Sequence, residues 1–308
     1  MNKKAEKIIS DITKLKIQGA RNVAKAALNA IAVTAKESNA KNVELFVKEI
    51  LNTARDAAAA RPTEPMTRNN IDELAKKIVD GRNNFRNVKD AKEFVIRLVN
   101  AQLKRMDESI RKLVDYGAKL VPEDSVVLTH CHSSTVTEIL KKANKEKGIE
   151  VICCETRPLY QGRRTARELA EAGVKTTLVV DSAVNLMMKK ADLVLVGADA
   201  ITSRGDLINK VGTCTVAHIS RFHDVSFYCA AELYKYSPLS LFGTREEIEE
   251  RNADEVWEDP PKKLKIKNPA FEATAARYIN GYITEMGVIP PQSLFAIATE
   301  RLGVRIYK

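Results

Sequence analysis

The sequence predicts an α/β protein, with an N-terminal helical domain followed by a doubly wound, Rossmann-like parallel-sheet domain. Three observations carry that expectation. Between residues 125 and 235 five runs of four to six apolar residues, rich in Val and Leu, alternate with helical stretches: VVLT, VICC, TLVV, DLVLVG and VSFYC. Such runs are what a parallel sheet covered on both faces looks like. Upstream of them, apolar positions recur instead at three- and four-residue steps, the period of amphipathic helices. Finally, each run ends on a polar, reactive side chain, at the strand end where open α/β sheets bind ligands.

The helical domain is expected over residues 1–119. Its apolar positions include Ile8, Ile12 and Leu15, then Val43, Phe46, Ile50 and Leu51, then Phe94, Val95, Leu98, Val99 and Leu103. Breaks fall at Gly19, in the loop RPTEPMT over 61–67, and at Gly117 near the end of a long helix that starts at about 89. The Rossmann-like domain is expected over 120–308. Helices lie near 134–147, 163–172, 183–190 and 213–222; Gly162 and Gly173 bracket the second, and Asp181 is placed to cap the third. Right-handed crossovers between the strands follow from strand twist. The stretch from about 236 is less periodic, rich in Pro and charge, and closes with a helix near 291–302. Its segment KKLKIKNPAFEATAARY is expected to pack back along the sheet domain.

Of 308 residues, 44% are hydrophobic and 29% charged, and no stretch of 18 apolar residues occurs. Those values describe a soluble globular chain and argue against a membrane protein. The start, MNKKAEKIISDITKLK, lacks an apolar export signal, so a cytoplasmic location is expected. Five cysteines without disulfide-scaffold spacing read as reduced thiols. The net charge of +10 is compatible with a nucleic-acid partner, but Lys and Glu are interspersed and no arginine-rich or aromatic-interleaved stripe is present. A phosphorylated small molecule accounts for the surplus equally well.

His130, Cys131, Glu155, Arg157, Asp181, Asp199, Glu232 and Lys235 all follow strand runs and are expected to converge on one crevice. Cys131 lies between His130 and His132, with Ser133, Ser134 and Thr135 opening a helix. A helix N-terminus and a neighbouring imidazolium lower a thiol pKa, so Cys131 is a candidate base or nucleophile. The same amides and hydroxyls suit an anion; the alternative is a buried structural cysteine. Structural zinc is disfavoured, because successive strand residues point to opposite faces and no C-x2-C or H-x3-H spacing occurs. Cys153 and Cys154 then read as strand core. Asp199 ends an apolar strand, where burial favours a protonated carboxyl that can donate a proton; the alternative is a turn cap. Asn209, Lys210, Gly212 and Thr213 form a glycine-containing turn into a helix, suited to a phosphate or sugar hydroxyls. Neither a Walker loop nor G-x-G-x-x-G is present. Arg21, Arg61 and Lys235 lie in or beside predicted loops, where a solvated charge is the simpler account of each.

Taken in order, THCHSST, ETRPLYQGRRTA, VVDSAVN, VGADAIT, INKVGT and AAELYK resemble the initiation factor 2B-related superfamily. KIQGARNV, RPTEPM and NPAFEATAARYINGYITEMGVIPP extend the resemblance over nearly the whole chain. The superfamily includes regulatory alpha, beta and delta subunits of that factor, methylthioribose-1-phosphate isomerases, and archaeal ribose-1,5-bisphosphate isomerases. Its isomerases carry a Cys after the first sheet strand and an Asp in the VGAD segment, as this chain does at Cys131 and Asp199. AAELYK is similar to the bisphosphate isomerases, and Lys235 would help bind the second phosphate.

The resemblance implies Cys131 as proton acceptor and Asp199 as proton donor in converting alpha-D-ribose 1,5-bisphosphate to D-ribulose 1,5-bisphosphate during AMP degradation. It implies substrate contacts at Gln18, Gly19, Ala20, Arg21, Arg61, Ser133, Ser134, Thr135, Asn209, Lys210 and Lys235. No cofactor and no metal are expected. The expected partners are a sugar bisphosphate and further copies of the chain, as a dimer and then a hexamer, with no nucleic acid. The alternatives are a regulatory subunit that contacts initiation factor 2 and a methylthioribose-1-phosphate isomerase.

Overall fold

The first four helices start at a capping asparagine, a glycine or a proline. In the computed structural model, which describes residues 2–242, 246 and 248–302, Asn2 caps α1 (Lys3–Thr13) and Asn42 caps α3 (Val43–Ala59), each side chain accepting a first-turn amide. Gly19, at φ +87°, precedes α2 (Ala20–Glu37). Pro65 opens α4 (Pro65–Gly81), where its missing N–H costs nothing. The buried face of α2, with Val23, Ala27, Leu28 and Ile31, packs in a core with Phe46 and Ile50 of α3 and Leu74 and Ile78 of α4.

The chain divides into two compact units, residues 1–108 and 109–308, and α5 (Val88–Leu120) runs through the division. The boundary expected at 119 lies at the end of that helix. Gly117 does not break α5. A Cβ there would sit 2.5 Å from Ile139 Cδ1, so the glycine allows close approach.

In the second unit the five apolar runs form β1 (Val126–His130), β2 (Glu150–Cys154), β3 (Lys175–Val179), β4 (Leu193–Val196) and, after an excursion, β7 (Ser226–Ala230). The connecting helices are α6 (Ser134–Lys147), α7 (Gln161–Glu171), α8 (Val184–Met188) and α9 (Thr213–Phe222). The excursion comprises β5 (Ala200–Ile201) and β6 (Leu207–Lys210), which form a separate antiparallel sheet with β8 (Phe271–Thr274) in the order β5-β6-β8. Two strands absent from the sequence expectation, β9 (Gly281–Thr284) and β10 (Gly287–Ile289), extend the main sheet before α10 (Leu294–Leu302). The main order is β10-β9-β7-β4-β1-β2-β3, parallel except for β10.

Leu128, Ile152, Cys154, Val194 and Val196 enter the core on one face; Val127, Val151, Cys153, Leu193 and Leu195 enter the core on the other. Cys153 and Cys154 therefore belong to opposite cores, as strand alternation requires. Burying each Val or Leu contributes about 1.5–3 kcal/mol, so the central strands are fixed in register. β3, paired only with β2, is an edge strand, and Leu178 on it stays exposed. Strand β1 continues to β2 on one side and neighbours β4 on the other. That reversal opens a crevice beyond the carboxyl ends of β1 and β4. Among the described residues no helix is long and apolar enough to cross a membrane.

Candidate active site

Cys131 is the first residue beyond β1, and its backbone turns sharply there, at φ +68°. A left-handed conformation at a non-glycine residue costs about 1–3 kcal/mol and persists only where its surroundings hold it. Thr156, itself at φ +64°, accepts the Cys131 N–H on Oγ1 at 2.9 Å, and Thr165 Oγ1 donates to the Cys131 carbonyl at 2.9 Å. Asp181 in turn accepts the amides of Thr156 and Arg157, both at 2.8 Å. Its carboxylate thus ties the β2 loop rather than capping the helix after β3, contrary to the sequence expectation.

Asp199 follows β4 across the crevice. The two carbonyls leading into it are held, Gly197 O by Cys229 Sγ at 3.3 Å and Ala198 O by Lys235 Nζ at 2.6 Å. Lys235 is buried in this contact, so it is no solvated charge, and its ammonium keeps two further protons for other acceptors. Gly197 makes room for Ser133: a Cβ there would lie 2.7 Å from Ser133 Cβ. Lys210, also buried, has Nζ 5.1 Å from the Phe271 ring centroid, and its charge acts on both Cys131 and Asp199. Burial lowers the Lys210 pKa, and the Cys131 and Asp199 anionic forms oppose that fall.

The electrostatics overturn one expectation. Burial pushes the Cys131 thiol up to about 12, and the Asp199 and Asp181 carboxylates add to the rise; the His132 backbone amide and Lys210 work against it. No imidazolium assists. His130 is buried against Gly212, where a Cβ would come 2.8 Å from Nε2, and burial drives its pKa down to about 4 despite Asp181. His132 turns onto α7, its Nδ1 3.0 Å from Thr165 Oγ1, and burial lowers its pKa too. Both rings are therefore neutral at pH 7, and the Cys131 thiol keeps its proton.

The crevice gathers His130, Cys131, Asp181, Asp199, Lys210 and Lys235, but not every expected residue. Glu155 pairs with Arg163 at 2.9 Å, and Arg157 reaches out to Tyr160 Oη at 2.7 Å and the Val256 carbonyl at 2.8 Å. Glu232 is buried beyond β7. Ser133 caps α6, its Oγ 3.4 Å from the Val136 amide, and among the described residues no protein acceptor faces the amides of Ser134 and Thr135. Asn209 Nδ2 donates to Thr213 Oγ1 at 3.0 Å. The turn at Gly212 is not an open anion site, because Glu272 of β8 accepts the Gly212 and Cys214 amides at 2.7 and 2.8 Å. Among the described residues no three His, Cys, Asp or Glu side chains are arranged to hold a metal ion.

Within the first unit, Gln18 Nε2 donates to the Leu15 carbonyl at 2.9 Å, and Gly19 and Ala20 start α2. Arg21 donates to Asp107 Oδ1 and to the Met106 carbonyl, both at 2.8 Å, and Arg61 pairs with Glu64 at 3.1 Å. Neither arginine is a simple solvated charge. Thr156, Thr165 and Glu272 escaped sequence reasoning: the threonines carry no spacing signal, and Glu272 lies in the aperiodic C-terminal stretch.

The family described as Initiation factor 2 subunit family matches residues 16–291. Ribose 1,5-bisphosphate isomerases of Methanocaldococcus jannaschii and Archaeoglobus fulgidus are each 38% identical to the chain. The matches cover 95% and 97% of it and 93% and 92% of those relatives. The crystal structure of a Pyrococcus horikoshii translation initiation factor eIF-2B superposes with a TM-score of 0.79 at 29% identity, over 94% of this chain and 98% of that one.

Proposed function

The chain belongs to the initiation factor 2 subunit family, and from that premise we propose that it isomerises alpha-D-ribose 1,5-bisphosphate to D-ribulose 1,5-bisphosphate, with Cys131 as proton acceptor and Asp199 as proton donor. The observation that carries the reading is a thiol and a carboxylate at the carboxyl ends of β1 and β4, with the Asp199 charge acting on the Cys131 thiol. The relatives named ribose 1,5-bisphosphate isomerase supply the substrate. Such an activity belongs in AMP degradation, where the sugar bisphosphate arises from the nucleotide.

The thiol and carboxyl share one dissociable proton, since two adjacent anions repel. Moving it from Cys131 to Asp199 removes the repulsion that keeps the thiol protonated and leaves a thiolate facing Lys210. Asp199 then protonates the ring oxygen as the bond from C1 to that oxygen breaks, and Cys131 removes the C2 proton to give an enol phosphate. Cys131 returns its proton to C1 while the C2 hydroxyl loses one to Asp199, which restores both groups. Lys210, Lys235, Asn209 and the amides and hydroxyls of Ser133, Ser134 and Thr135 hold phosphate and offset developing negative charge.

Removing a general acid or base costs about 10²–10⁴ in rate. Cys131→Ser and Asp199→Asn are each expected to lose that much turnover of the bisphosphate, with methylthioribose 1-phosphate offered in parallel. Asp199→Asn should at the same time speed Cys131 alkylation by iodoacetamide at pH 8, because a charge that raises the thiol pKa is gone. Undiminished turnover in both variants refutes the roles. The match to an initiation factor structure favours, as second reading, a regulatory protein. Binding to initiation factor 2 in a light-scattering titration, with no turnover of either sugar, would select it.

A further inference from the structure

Cys131 carries both a strained backbone and a held peptide, and the holding groups are two buried threonine hydroxyls. Thr156 accepts the Cys131 N–H and passes its own proton to the Cys154 carbonyl at 3.2 Å. Thr165 donates to the Cys131 carbonyl and stands 3.0 Å from His132 Nδ1. Because the Thr165 proton goes to the carbonyl, its oxygen accepts from His132, which fixes the Nδ1–H tautomer.

The Cys131 carbonyl and the His132 N–H belong to one planar trans peptide, so they point in opposite directions. Fixing the carbonyl therefore fixes the amide, which works to lower the Cys131 thiol pKa. We propose that Thr156 and Thr165 are positioning residues that hold the Cys131 peptide in its left-handed turn and so fix the place of the sulfur and of the His132 amide that follows it. The packing of α7 sets the second hold. A Cβ at Gly162 would fall 1.7 Å from the Cys154 carbonyl oxygen, so only glycine brings the helix onto the end of β2, and Thr165 follows one turn later.

Thr156 hangs from β2 and the Asp181 carboxylate, and Thr165 from α7. Two elements thus converge on one peptide plane that neither would fix alone. The His132 amide favours the thiolate over the thiol, so it opposes the burial and the Asp199 and Asp181 charges that hold the proton on. As a step in catalysis, the proposal rests on the reading of Cys131 as proton acceptor; as a statement about thiol geometry, it stands apart from that reading.

The test uses Thr165→Val and Thr156→Val in the full chain, with Thr165→Ser and Thr156→Ser as the conservative variants. A displacement near 1 Å at a reacting group can cost about 10² in rate. The Val variants are expected to lose at least tenfold in kcat with KM changed less than twofold, and the Ser variants to stay within threefold of the parent. Independently of any substrate, the rate of Cys131 alkylation by iodoacetamide at pH 8, read from the peptide that carries it, should fall at least fivefold in the Val variants and recover in the Ser variants. Alkylation at the parental rate in the Val variants overturns the proposal, whether or not the protein isomerises a sugar. Slowed alkylation in a protein that turns over no sugar upholds the clamp and rejects the isomerase reading. Should a Val variant fail to fold, Gly162→Ala, which displaces Thr165 while leaving its hydroxyl intact, must show the same fall.

Discussion

Two helices begin at the same edge of the main sheet, and their first turns are treated in opposite ways. At α6 the Ser133 side chain makes one long contact, and the amides of Ser134 and Thr135 face no protein acceptor among the described residues. At α9 the Glu272 carboxylate accepts two amides at 2.7 and 2.8 Å, and the neutral His130 ring covers Gly212. Both termini carry the same partial positive charge. At α9 that charge is neutralised inside the fold, and at α6 it is left beside Cys131 and Asp199. The difference teaches that an anion site depends on which amides the fold leaves unanswered, because the glycine-containing turn alone looks equally suitable.

The largest expected effect tests the closed terminus. His130 is neutral there because burial lowers its pKa from 6.5 to about 4, with Lys210 pushing the same way and Asp181 opposing. In the unfolded chain the ring takes a proton near pH 6.5, whereas in the folded chain it resists until near pH 4. Stability is therefore complete above about 6.5 and is lost as pH falls toward 4, by roughly 3 kcal/mol in all. Urea melts at pH 7, 5.5 and 4 should show that loss, and His130→Gln should remove it from the pH profile. An unchanged profile in the variant would mean that other groups cause the acid loss.

The next effect tests the open terminus. Gly197→Ala places a methyl 2.7 Å from Ser133 Cβ and 2.8 Å from Ser133 Oγ, so the first turn of α6 must move away from Asp199. A shift of that size lowers kcat/KM by about 10², equivalent to roughly 3 kcal/mol, and the urea midpoint should fall as well, because Thr135, Val136 and Thr137 of that turn are buried. Steady-state kinetics with the bisphosphate measure it. Parental kinetics would show that Ser133 yields without consequence and that the α6 terminus is not part of the site.

Legibility in the sequence follows the same division. β1, β2, β3, β4 and β7 and the four helices between them stand in the pattern of apolar runs because both faces of the inner strands are buried. β9 and β10 do not, since four- and three-residue strands among Gly, Thr and charged residues leave no run long enough to count. Cys131, Asp199, Lys210 and Lys235 were visible as polar residues after strands. The state of the thiol was not: adjacent histidines suggested a lowered pKa, whereas burial and Asp199 raise it. Which carboxylates answer which amides is a tertiary fact, and Asp181 and Glu272 each serve a partner that no local pattern announces.

The smallest effect compares the two termini directly, by weakening each cap with one substitution. Glu272→Gln removes the charge from two short hydrogen bonds, and the difference between charge-assisted and neutral bonds gives a loss of about 1–2 kcal/mol in stability. Its KM for the bisphosphate should stay at the parental value, since Glu272 already occupies the Gly212 and Cys214 amides. Ser133→Ala removes a single long cap and should cost about 1 kcal/mol or less in stability. Its KM is expected to rise about tenfold if, as proposed above, the hydroxyl and the α6 amides it orients hold the phosphate. The two variants thus exchange their effects: the closed terminus matters to folding and the open one to binding. A raised KM in Glu272→Gln, or an unchanged KM in Ser133→Ala, would erase that distinction and return the anion to the α9 turn, where the sequence alone had equally allowed it.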